Sequence, residues 1–65
     1  MTKIKIEDLE AITSTNAKLI FGEIIYQTAV EGKKFLVNRN GKPMAVIIGF
    51  NEYQKLNNIK KLSEL

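Results

Sequence analysis

The chain has no cysteine, no histidine and no tryptophan, and only one proline. Without cysteine neither a disulfide nor a thiolate zinc site can form, and without histidine the commonest transition-metal ligand and general base is missing. The longest apolar run, Met44 to Ile48, falls far short of the roughly 20 residues that cross a bilayer. The N-terminal Met-Thr-Lys-Ile-Lys-Ile-Glu-Asp lacks an apolar signal core, so a cytoplasmic location is expected. Ser14 and Ser63 have no histidine to activate them, and Gly22, Gly32, Gly41 and Gly49 are isolated, so no phosphate-binding glycine loop is present. These absences argue against an enzyme and predict no cofactor and no metal site. Glu7, Asp8 and Glu10 read as a solvated acidic turn rather than a cation site.

What remains is a 65-residue chain, 45% hydrophobic and 26% charged, which is the composition of one folded domain. A chain this short buries only about 60% of the surface its unfolded form exposes, so its core is marginal without added support. With disulfides and metals excluded, a second subunit is the support left. The net charge of +3 is unevenly spread. Residues 1 to 32 carry three Lys against five acids, and residues 33 to 65 carry six Lys and one Arg against two acids. Lys33, Lys34, Arg39 and Lys42 fall together with no acid among them, which is either a phosphate-binding face or a solvated hairpin tip.

Residues 1 to 13 read as extended, with Ile4 and Ile6 alternating with Lys3, Lys5 and Glu7. A long helix is predicted over residues 14 to 31, with Thr13, Ser14 or Thr15 as N-cap and Gly32 as its stop. At 100° per residue Ala17, Ile20, Phe21, Ile24, Ile25 and Thr28 form its core face. Leu19, Tyr26 and Val30 fall nearly opposite, and Gly22 would let another backbone approach, so these four positions are expected to form a dimer interface.

Residues 34 to 48 carry a hairpin signal: two β-rich runs around Asn40-Gly41, a dipeptide suited to a type I′ turn because both central residues need positive φ. A two-residue loop pairs Arg39 with Lys42, Asn38 with Pro43 and Val37 with Met44. That register places Phe35, Val37, Arg39, Lys42, Met44, Val46 and Ile48 on one face and Leu36, Asn38, Ala45 and Ile47 on the other. Both faces are largely apolar, so helices are expected above and a second subunit alongside or below. Asn51, with Gln54 three residues on, is expected to cap a second helix. The spacing predicts an α+β fold: a long helix packed on an antiparallel hairpin sheet, a second helix at the C-terminus, and a dimer.

Arg39 and Lys42 are the pair with a chemical purpose. Like charges directly opposite are destabilising, so their placement suits an anion held between them, and a nucleic-acid phosphate is the obvious one. Ser14, Thr15, Asn16 and Lys18 at the helix start offer hydroxyl, amide and ammonium groups able to touch phosphates or base edges, although capping alone would also explain the first three.

The ordered set Ile12-Thr13-Ser14-Thr15-Asn16-Ala17-Lys18, Phe21-Gly22-Glu23-Ile24-Ile25, Val30-Glu31-Gly32-Lys33, Asn38-Arg39-Asn40-Gly41-Lys42-Pro43, Ala45-Val46-Ile47-Ile48 and Glu52-Tyr53-Gln54-Lys55-Leu56 resembles the Phd/YefM family of type II antitoxins. The resemblance spans residues 12 to 56, with the first ten residues as an extension. It implies a homodimer that binds a palindromic double-stranded operator, represses its own operon and neutralises a cognate toxin, expected to be of ribonuclease type. Residues 1–56 would form the dimerising DNA-binding domain and residues 57–65 a short helical tail. The resemblance puts Lys18, early in the first long helix, and Arg39, just before the hairpin turn, on DNA; Ser14, Thr15, Asn16, Asn40 and Lys42 are expected to face it beside them. Lys18 stands where the family usually has Arg, which favours a phosphate contact over bidentate guanine recognition. The family's tail commonly runs on for tens of residues, whereas nine follow Leu56 here, so Leu56, Ile59 and Leu62 are expected to form a short toxin-binding anchor. The competing reading is a protein-interaction module that inhibits or scaffolds a partner enzyme without specific DNA binding.

Overall fold

The computed structural model describes residues 4–56. Within them the chain runs from a 3-10 turn at Ile6–Asp8 through β1 (Glu10–Thr13), α1 (Ser14–Leu19), α2 (Phe21–Val30), β2 (Phe35–Arg39) and β3 (Lys42–Ile47) to α3 (Phe50–Leu56). The result is a small α+β unit with three α-helices and a three-stranded sheet. The sheet order is β1-β2-β3, so β2 is central. β2 and β3 form the expected antiparallel hairpin, but β1 adds a parallel strand that the hairpin reading lacked, with Glu10 opposite Phe35 and Ile12 opposite Val37.

Residues 1 to 13 are not extended throughout. The Asp8 carboxylate accepts from the Lys5 backbone N–H at 3.0 Å and closes the 3-10 turn, and the strand begins only at Glu10.

The single helix over 14 to 31 is two helices meeting at Ile20, whose φ of −120° and ψ of 32° are not helical. Ile20 donates its N–H to the Asn16 carbonyl at 3.1 Å and accepts from the Ile24 N–H at 3.0 Å, so one residue ends α1 and begins α2. Thr13 is the N-cap: its Oγ1 accepts from the Asn16 N–H at 3.1 Å. At the far end Gly32 takes a φ of 75°, and the Lys33 N–H returns to the Gln27 carbonyl.

The core is narrower than the apolar pattern suggested. Ala17, Ile24, Phe35 and Val37 are buried, with Ile12 and Ile47 packed on them. Thr28 is buried too, its hydroxyl donating to the Ile25 carbonyl. Ile20, Phe21 and Ile25, expected on the core face, are exposed. Three short strands offer too little width to cover more than the line through positions 17, 24 and 28.

The hairpin turn matches the Asn-Gly reading, with Asn40 at φ 53° and Gly41 at φ 76°. Arg39 pairs with Lys42 and Asn38 with Pro43 as expected; beyond them the register shifts, and Val37 faces Ala45 instead of Met44. Met44 is the extra residue of a bulge, next to a proline that has no N–H to give the ladder. The shift exchanges the faces. Ala45 and Ile47 share the side of Phe35 and Val37, while Met44 and Val46 join Leu36 on the other, where both are exposed.

α3 starts at Phe50, one residue before the expected Asn51 cap. The carbonyl of Gly49 receives the N–H groups of Glu52 and Tyr53 at 3.0 and 3.1 Å, so Asn51 lies inside the first turn. The rings of Phe50 and Tyr53 stack at 6.3 Å on the exposed side of this helix.

Candidate nucleic-acid interface

The parallel pairing of β1 with β2 decides where the polar residues meet. Thr13, the last residue of β1, lies opposite Asn38, two residues before the turn. The β1–α1 junction and the hairpin tip therefore come side by side, although they lie far apart in sequence. Between them is an open groove of about 490 Å³ lined by Thr13, Ser14, Thr15, Asn38, Arg39, Asn40 and Gly41.

Four of the seven residues expected to face DNA line this groove: Ser14, Thr15, Arg39 and Asn40. Lys42 sits at its edge through the cross-strand pair with Arg39. Asn16 and Lys18 are exposed on α1 and do not line it. The backbone N–H of Asn16 is already committed to the Thr13 hydroxyl, so it is not one of the free donors expected at the helix start. Sequence reading missed Asn38 as a wall of the groove and gave Thr13 no role beyond capping; only the strand pairing, which no local pattern announces, brings them in.

The basic cluster divides into two halves. Lys33 lies 4.0 Å from the Glu10 carboxylate, and the Lys34 ammonium donates to the Gly32 carbonyl at 3.5 Å. Arg39 and Lys42 have no ion-pair partner among the described residues. Two exposed cations therefore face each other at the tip without a protein anion, which is the arrangement a polyanion would relieve. Ser14, Thr15 and Asn40 make no side-chain hydrogen bond to another described residue, leaving their polar groups free for a ligand.

The positions read as a dimer interface, Leu19, Gly22, Tyr26 and Val30, are all exposed, Leu19 at 76%. A Cβ added at Gly22 would meet nothing within 4 Å among the described residues outside its own helix. Of the toxin-binding positions, Leu56 ends α3 and is exposed, whereas Ile59 and Leu62 lie outside the described residues, as does the 57–65 tail.

The described residues form a small α+β domain in which a basic hairpin lies beside a helix start. The family described as Antitoxin Phd_YefM, type II toxin-antitoxin system, matches residues 5–65, and the chain belongs to that family. Membership implies a cognate toxin as partner. The match is longer than the 12 to 56 span that carried the resemblance, and residues 5 to 10, read as an extension, fall inside it. No match was found among curated proteins or among solved structures. No helix among the described residues is long and apolar enough to cross a membrane.

Proposed function

We propose that this protein is a dimeric antitoxin of the cytoplasm that binds operator DNA through the hairpin tip and the adjoining β1–α1 junction, represses its own operon, and neutralises a toxin of ribonuclease type. The observation that carries the reading is the convergence of Ser14 and Thr15 with Arg39 and Asn40 around one groove, with two cations at its rim that have no ion-pair partner among the described residues. In a dimer two such tips would meet successive half-sites of a palindrome. Arg39 and Lys42 supply charge that neutralises phosphates; Asn38 and Asn40 supply amides able to read adenine. Lys18, one turn along α1, adds a phosphate contact outside the groove.

Gel-shift titration with duplex DNA from upstream of its own gene tests this. Arg39→Ala is expected to weaken binding at least about tenfold, since a good base or phosphate contact is worth about 1–3 kcal/mol. An unchanged titration removes Arg39 from the site.

The exposed Phe50, Tyr53 and Leu56 favour α3 and the tail after it as the toxin-contacting part. If the chain serves only as an interaction module, deleting residues 57–65 will abolish co-purification with the toxin while no duplex is bound at low salt.

A further inference from the structure

The hairpin tip carries a second chemistry. Asn40 is followed by Gly41, whereas Asn16, Asn38, Asn51, Asn57 and Asn58 are followed by Ala17, Arg39, Glu52, Asn58 and Ile59. An asparagine amide is lost when the backbone nitrogen of the next residue attacks its side-chain carbonyl carbon. A side chain on that next residue obstructs the approach, and glycine has none. Both residues are exposed, and a Cβ on Gly41 would meet no described residue within 4 Å beyond its chain neighbours. The Asn40 amide is tied to no described residue.

We propose that Asn40 is a site of spontaneous deamidation that weakens the DNA-binding tip. The Gly41 nitrogen forms a bond to Cγ of Asn40 and gives up its proton as ammonia leaves, producing a cyclic imide. Water then adds to either imide carbonyl and opens the ring to aspartate or isoaspartate. The net change is an amide plus water converted to a carboxylate plus ammonium, with no oxidant or catalyst needed. The new carboxylate joins the two-residue turn that links Arg39 to Lys42, cations with no ion-pair partner among the described residues. It supplies internally the negative charge that a phosphate would otherwise bring. The isoaspartate form also adds a methylene to the main chain of a two-residue turn, which alters the hairpin's twist. This rests on the operator reading for its consequence, but its chemistry does not.

The test ages the full-length protein at mildly alkaline pH and follows it by peptide mapping. Aspartate and isoaspartate are expected at position 40 before conversion at any other asparagine, and the aged fraction is expected to leave immobilised heparin at lower salt than fresh protein. Asn40→Asp keeps a turn sequence that suits type I′ and should elute with the aged fraction. Its operator affinity should fall at least about tenfold. Conversion at Asn40 no faster than at Asn51, or aged protein and Asn40→Asp co-eluting with fresh protein, overturns the proposal. Fresh protein that ignores its operator yet gives these heparin shifts sinks the operator reading and leaves only the modification at Asn40, with its loss of polyanion affinity, standing.

Discussion

Gly49 lies so close to the backbone carbonyl of Thr28 that no Cβ fits between them. The neighbour is main chain, not the end of a flexible side chain, so neither partner can yield without moving α2 or the start of α3. Gly49→Ala is expected to destabilise the fold by about 1–3 kcal/mol, the cost of overpacking a tight site. Urea unfolding followed by circular dichroism measures it; an unchanged midpoint would mean that the two segments separate at little cost.

Lys42 should act on DNA mainly as a charge. Replacing it with Ala is expected to weaken binding about equally across operator and unrelated duplexes and to lower the slope of log affinity against log salt by about 0.9. Titrations at several salt concentrations decide it, and a loss confined to the operator would recast Lys42 as a base-reading residue.

Thr13 and Ser14 are adjacent hydroxyls with different duties. Thr13 caps α1 and Ser14 makes no capping bond. Thr13→Ala should lower stability by about 1 kcal/mol, while Ser14→Ala should leave it within about 0.5 kcal/mol. Thermal melts of both variants separate them, and equal losses would contradict the capping assignment.

The small core makes self-association the next test. Leu19, Tyr26 and Val30 leave apolar surface open along the helices, and Met44 and Val46 leave more beneath the sheet. A dimer at micromolar concentration is expected in sedimentation, with a melting temperature that rises with protein concentration. Tyr26→Glu should shift the population toward monomer and flatten that rise. If the variant sediments like the parent, the interface lies elsewhere, the sheet underside being the next surface to probe.

Much of this fold was legible because certain residues leave few choices. Asn40-Gly41 announced its turn because both positions must take positive φ, and Gly32 announced a helix end for the same reason. The break at Ile20 was hidden, since no proline marks it and the nearest weak helix former, Gly22, lies inside α2 and not at the break. The bulge at Met44 was hidden because apolar residues occupy both faces of β3, so the pattern fits either register equally well. The groove could be read only in halves: hydroxyls at 14 and 15, cations at 39 and 42. Their meeting depends on β1, a four-residue strand whose sequence declares no partner.

That strand also sets the order in which the protein can assemble. The β2–β3 hairpin closes through neighbours in sequence, whereas Glu10 must find Phe35 across the whole helical segment before β1 gains its place. Long-range parallel pairing is slow to form and, with only four residues at the sheet's edge, quick to fray. Amide protons of residues 10 to 13 should therefore exchange with solvent well ahead of those in β2, so that half of the groove comes and goes while the hairpin stays intact.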